Sequence, residues 1–203
     1  MEKIGAKTMR KVILSMQMTL DGYSTGPNDE MDYLPSFTDE MMWKDLHEEM
    51  WKNLEEADTF VLGRRTYQIW EKYWPAVAKN PQSTESDKRF SRYADETQKI
   101  VISNTLDKVE WKNTKLIKDN IAEEIQKLKQ QPGKNIIVAG GATVAQTFAK
   151  LGLIDEYLII VHPVIFGKGK LLLKDLNVRQ NLKLIGTKTF YSGAVELSYS
   201  KMS

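Results

Sequence analysis

The sequence predicts a mixed α/β domain in three layers: a mixed, mostly parallel central sheet, helices on both faces, and a C-terminal antiparallel hairpin. Three observations carry this. Short β-branched runs alternate with helix-period segments along most of the chain. Several of those runs end in glycine or hydroxyl residues just where a helix or loop begins. Finally, two alternating runs at 182–191 and 195–201 flank Ser192-Gly193, a hairpin signal.

Taken in order, KVILSMQM at 11–18 reads as the opening strand, and Asp21-Gly22 marks the turn that follows. A polar loop runs through Gly26-Pro27-Asn28-Asp29. Ser36, Thr38 and Asp39 then supply cap chemistry. In the next helix Trp43, Leu46, His47, Met50 and Leu54 fall on one apolar stripe. TFVL at 59–62 is a buried strand ending at Gly63, and 64–70 reads as a short helix. Pro75, Pro81 and mixed charge make 71–97 read as a surface excursion with one helical turn. KIVIS at 99–103 and the run 114–117 are strands, and 120–130 is a helix stopped by Pro132-Gly133. The run 136–139 is a strand, 143–151 a helix stopped by Gly152, and 154–162 a long strand. Residues 1–8 are expected to be a disordered lead or cloning remnant, and 9–203 one domain.

Composition removes several classes of function. The chain has 29 basic and 27 acidic residues, scattered without long like-charge blocks, so nothing favours a nucleic-acid partner. With no cysteine, disulfides, thiolate nucleophiles and thiolate metal sites are ruled out. No apolar run approaches the roughly 20 residues that span a bilayer, and no secretory signal is visible, so a cytoplasmic protein is expected. The two histidines are far apart, and neither HExxH nor GxSxG occurs; a metal site is not expected. GxGxxG is absent, and Gly167-Lys168-Gly169-Lys170 lacks the upstream glycine and the Ser/Thr of a P-loop.

What remains are three strand ends: Gly63-Arg64-Arg65-Thr66, Ser103-Asn104-Thr105 and Gly140-Gly141-Ala142-Thr143-Val144. In open α/β sheets ligands bind outside the carboxyl ends of strands. Glycines let backbone approach a phosphate, N–H and hydroxyl groups bond it, and arginine supplies the matching charge. Each motif alone is equally a capped helix or ordinary turn. Together they point to a phosphate-bearing cofactor.

The order SMQMTLDGY, VLGRRTYQIW, VISNTL and IIVAGGATVAQTFAKLGLIDEYLIIVHPVIFGKGK resembles the dihydrofolate reductase superfamily. It is most similar to the reductase domain at the C-terminus of bifunctional riboflavin-biosynthesis proteins and to its stand-alone relatives. The resemblance implies NADPH as hydride donor, a pyrimidine- or pteridine-like acceptor, and a homodimer. It would set Gly63, Arg64, Arg65 and Thr66 against the cofactor phosphates and Ser103, Asn104 and Thr105 near the adenosine. Gly140, Gly141, Ala142, Thr143 and Val144 would cradle the pyrophosphate, with a cis Gly140–Gly141 bond. Met16, Gln17, Asp21 and Gly22 would cover nicotinamide and substrate.

The zinc deaminase half of such bifunctional proteins needs cysteines this chain lacks, so deaminase activity is excluded. For the carboxylate that holds the acceptor ring, Asp45 is the nearest match and Glu49 lies one turn on. Asp45 falls across the helix from the apolar stripe, so it reads equally as surface charge. Besides a reductase, a binding module that kept the cleft without turnover and a structural or stress-related dimer fit these motifs.

Overall fold

The structure is a computed structural model; it describes residues 9–34, 40–176 and 179–202, with side chains of α1 from residue 44 onward. The segment expected to be a disordered lead, the cap residues Ser36, Thr38 and Asp39, and the Trp43 side chain lie outside the described residues.

Among the described residues ten strands and five helices follow one another as β1 Val12–Thr19, β2 Tyr23–Thr25, α1 Glu40–Glu55, β3 Ala57–Gly63, α2 Arg64–Lys79, α3 Glu85–Glu96, β4 Gln98–Ile102, β5 Thr114–Ile117, α4 Ile121–Gln130, β6 Asn135–Val138, α5 Gly141–Lys150, β7 Glu156–His162, β8 Lys170–Leu171, β9 Leu182–Thr189 and β10 Val195–Lys201. Eight strands form one sheet in the order β5-β4-β3-β6-β1-β7-β10-β9, and β2 pairs with β8. Neighbours from β5 to β7 are parallel. The β9–β10 hairpin closes the edge antiparallel to β7.

Both sheet faces are covered, as the uninterrupted apolar runs of the parallel strands require. Period-2 alternation sends Ile136 and Val138 to one face, with Phe148 of α5 and Ile125 of α4. It sends Ile137 to the other, with Phe60, Leu54 of α1, Tyr67 of α2 and Phe90 of α3. Each large side chain buried in this way contributes about 1.5–3 kcal/mol.

The segment 71–97 departs from the expectation of an irregular excursion. Helix α2 runs through Pro75 to Lys79, and α3 follows after a short turn. A proline inside a helix costs about 3 kcal/mol. Here Tyr67, Trp70 and Trp74 pack on the core as one stripe and Trp70 and Trp74 meet edge to face at 6.2 Å, which outweighs that cost. Thr84 caps α3 by accepting from the Asp87 N–H at 3.1 Å.

Asp155 joins three elements at the amino edge of the sheet. Its carboxylate accepts from the Val12 N–H at 2.8 Å and from Lys129 Nζ of α4 at 2.8 Å. Asp155, in Leu153-Ile154-Asp155-Glu156, is thus a structural clasp that starts β7 in register with β1.

Candidate cofactor cleft and acceptor face

Because β4, β3 and β6 are adjacent and parallel, their carboxyl ends bring Ser103, Gly63 and Gly140 to one edge. The Gly63 N–H donates to the Gly140 carbonyl at 3.2 Å. A Cβ on Gly140 would stand 2.5 Å from Leu62 Cα, and one on Gly63 2.9 Å from Val144 Cγ2. Both glycines therefore serve the approach of two strand ends. Gly141 differs: its φ is +77°, and a Cβ there would meet only Thr66 Oγ1, at 3.7 Å. All described peptide bonds are trans. The expected cis Gly140–Gly141 bond is therefore trans, and the left-handed φ of Gly141 makes the turn instead.

Helices α2 and α5 both begin at this edge, and neither N-cap glycine offers a side-chain acceptor to the first-turn N–H groups. Two positive helix ends without side-chain caps thus lie at this edge, and Gly141 opens α5. Arg64 is exposed and donates through Nη1 to Thr105 Oγ1 at 2.9 Å, linking the first and second motifs. Ser103 Oγ accepts from the Thr105 and Leu106 N–H groups at 3.2 and 3.1 Å, shaping the turn that leaves Asn104 exposed. Arg65 is ion-paired with Asp29 of the β2–α1 loop, whose other oxygen holds Lys170. Ala142 is half-buried and Thr143 exposed, whereas the Val144 side chain is core.

On the other side of the cleft the sheet has a gap. Strand β1 pairs with β6 only from Val12 to Leu14, yet with β7 from Ile13 to Thr19. Ser15, Met16, Gln17 and Met18 are all partly exposed, which is unusual for a strand at the centre of a sheet. Gln17 Oε1 lies 2.6 Å from His162 Nε2. His162 is 2% exposed, and burial pulls its pKa down to about 4. Asp21 accepts from Thr19 Oγ1 at 2.6 Å and from the Phe166 and Gly167 N–H groups at 3.2 and 2.7 Å. These bonds lower its pKa, that from Thr19 most. Asp21 thereby ties the loop after β7 to the end of β1, and Gly22 turns the chain there with a φ of +88°.

The carboxylates of α1 lie over β9 and β10. Asp45 Oδ2 accepts from the Tyr191 N–H at 2.8 Å, while its Oδ1 is buried without a partner among the described residues. Glu49 accepts from Lys188 and Lys52 at 2.6 and 3.1 Å, which holds its pKa down. Near them Glu196 is 6% exposed, with Oε2 unpartnered among the described residues. Burial, then the nearby Glu49 charge, raise its pKa. Asp45 is thus engaged with the hairpin turn, so plain surface charge does not describe it. Glu196 carried no sequence signal, because a lone glutamate in an alternating strand reads as solvent-facing.

His47 faces a depression of about 620 Å³ between α1 and α3, away from the strand ends. Among the described residues no group of three or more histidine or acidic side chains could hold a metal ion. None of the described helices is long and apolar enough to cross a membrane.

The family model described as the RibD C-terminal domain matches residues 10–195. The chain belongs to this family. It is 37% identical over 190 residues to the protein YyaP of Bacillus subtilis, covering 94% of each chain. To YwjB of the same organism it is 30% identical over 192 residues, covering 94% of this chain and 97% of that one. Among solved structures it is similar to a pyrimidine reductase-like protein from Corynebacterium diphtheriae, at TM-score 0.62, 13% identity, and 96% and 92% coverage. It also resembles the Thermotoga maritima diaminohydroxyphosphoribosylaminopyrimidine deaminase/5-amino-6-(5-phosphoribosylamino)uracil reductase, at TM-score 0.63 and 19% identity. That match covers 97% of this chain but 58% of the bifunctional one. The RibD-like reductase fold is therefore established for this member.

Proposed function

We propose that this RibD C-terminal domain protein is an NADPH-dependent reductase of a small pyrimidine- or pteridine-like heterocycle, working as a homodimer. The observation that carries this is the pair of helix N-termini without side-chain caps at one edge of the sheet, with Arg64 opening α2 and bonded to Thr105 of the neighbouring strand end. The donor set fits a dinucleotide: N–H groups and positive charge suit a pyrophosphate, and Gly141 leaves open the space a side chain would fill. When bound, NADPH supplies the hydride that reduces the acceptor.

The residues of the chain bind, orient and shield. First-turn N–H groups of α2 and α5 would hold the pyrophosphate. Arg64 and Arg65 would neutralise the phosphates, and Ser103, Asn104 and Thr105 would line the adenosine side. Met16 and Gln17, at the gap beside β1, would meet the reacting rings. Met16 and Met18 project from the opposite face of β1 to Gln17 and are partly buried against the core.

The test is a titration with NADPH followed by nicotinamide fluorescence, then addition of pterin, flavin and aminouracil acceptors while absorbance loss is monitored. No binding of NADPH or NADH at millimolar concentration refutes the reading. Binding without oxidation by any acceptor favours a ligand-sensing role. Gly141→Asn is the matching variant, because asparagine tolerates positive φ. It should fold and lose NADPH affinity at least about tenfold.

A further inference from the structure

Across the sheet, Gln17 of β1 stands in register with Ile160 of β7, and Ile160 with Glu196 of β10. Directly paired residues share a face. Gln17 therefore projects on the same face as Ile160, at the point where β1 has already lost β6 as its neighbour. His162 pairs with Thr19 and sits diagonally beside Gln17 on that face. Its ring is fixed: the Tyr33 ring meets it edge to face at 5.2 Å, and the Tyr33 hydroxyl is itself anchored on the Ser24 carbonyl at 3.0 Å.

An amide has two unlike ends, and a glutamine at a ligand wall can present either a carbonyl or an NH2 group. Here the carbonyl end is taken, since Gln17 Oε1 faces His162 Nε2 at 2.6 Å. A neutral imidazole has one N–H, and placing it on Nε2 lets it donate to that oxygen. The NH2 end then points away from His162, and Gln17 is partly exposed where β1 no longer pairs with β6. We propose that His162 is a positioning residue that orients the Gln17 amide, so that Gln17 offers its NH2 group to a ring carbonyl of the acceptor. At the position that faces Gln17 the acceptor ring then carries a carbonyl rather than an amino group. The identity of the ligand as an acceptor rests on the reductase reading; the amide orientation does not.

Two measurements test this. The chain has only two histidines, His47 and His162, so the imidazole nitrogens can be assigned in the ligand-free protein with a His47→Gln variant. At pH 7 the two-bond nitrogen–proton spectrum should show His162 protonated on Nε2 and bare on Nδ1. The opposite tautomer overturns the proposal, because Nε2 would then accept from the amide and turn the Gln17 carbonyl to the cleft.

The second measurement compares lumazine, which carries two ring carbonyls, with 2,4-diaminopteridine, which carries amino groups in their place. The wild-type protein loaded with NADPH should bind lumazine at least about tenfold more tightly, because the wrong partner leaves a buried donor unpaired. Gln17→Glu should reverse that preference, its carboxylate still accepting from His162. His162→Phe keeps the ring packing and should bring the two affinities within about threefold, with NADPH affinity unchanged. Equal affinities in the wild type, binding of neither ring, or no reversal in Gln17→Glu overturn the proposal. Failure of the wild type to bind NADPH is a failure of the reductase reading and leaves the imidazole spectrum as it was.

Discussion

Arg65, at the start of α2, is ion-paired with Asp29 in the loop after β2, and Asp29 also holds Lys170. One carboxylate thereby occupies two cations at the rim of the cleft, and Lys170 is the larger cause of its lowered pKa. An exposed network of this kind adds little stability. Asp29→Asn should therefore leave the melting temperature nearly unchanged while freeing Arg65 for a phosphate. NADPH affinity should rise a few-fold at low ionic strength, and the gain should fade as salt is added. Unchanged affinity in a fluorescence titration would remove Arg65 from the cofactor site.

The two adjacent glycines should respond differently to substitution. Gly140→Ala forces a methyl group to within 2.5 Å of the Leu62 backbone and should cost about 3 kcal/mol, or on the order of 10 °C in melting temperature. Gly141→Asn meets no such clash and should cost about 1 kcal/mol or less. Thermal denaturation of the two variants decides whether the glycines divide the work in this way.

Lys99 is wholly buried, and its Nζ donates to the carbonyls of Ala94 and Thr97, each at 2.7 Å. It thus ties off the end of α3. Lys99→Met should cost about 2–4 kcal/mol by leaving those carbonyls without a donor. Burial also lowers the Lys99 pKa from 10.5 to about 8. Between those values the unfolded chain binds more protons than the folded one, so this site makes stability rise with pH from about 8 to 10.5. Urea melts across that range should show the rise in the wild type and lose this contribution in Lys99→Met.

Glu196 has the opposite sign. Its folded pKa is raised above the ordinary 4.5, so the folded chain holds the proton longer than the unfolded one. Stability therefore falls as pH rises from 4.5 through the folded value. Glu196→Gln should remove that slope and make the protein more stable at pH 7, with little change at pH 4. A variant less stable than wild type at pH 7 would mean that the ionised carboxylate is compensated by Lys188.

The opening strand, the TFVL strand, the strand–turn–helix units and the closing hairpin were legible because each rests on local signals: periodicity, terminal glycines and capping residues. The segment 71–97 was not, since Pro75 and Pro81 are local breakers and the packing of Trp70, Trp74 and Phe90 on the sheet is a tertiary gain. Leu153-Ile154-Asp155-Glu156 lies within the run that carries the family resemblance, yet only the fold shows that Asp155 joins the start of β1 to the last turn of α4.

By itself, the sequence determined the α/β class, the family resemblance and the three strand ends proposed for the cofactor side, because β-branched runs and the glycines and hydroxyls that end them are local signals. The tertiary structure alone decided that Gly140 packs backbone while Gly141 faces open space, and that the peptide between them is trans. It alone put Asp45 on the Tyr191 N–H, Glu196 near Glu49, and the imidazole of His162 on the Gln17 amide. The physical reason is common to all of these. They are relations between side chains of strands and helices far apart in the chain, set by sheet order and register, and no local pattern of residues encodes them.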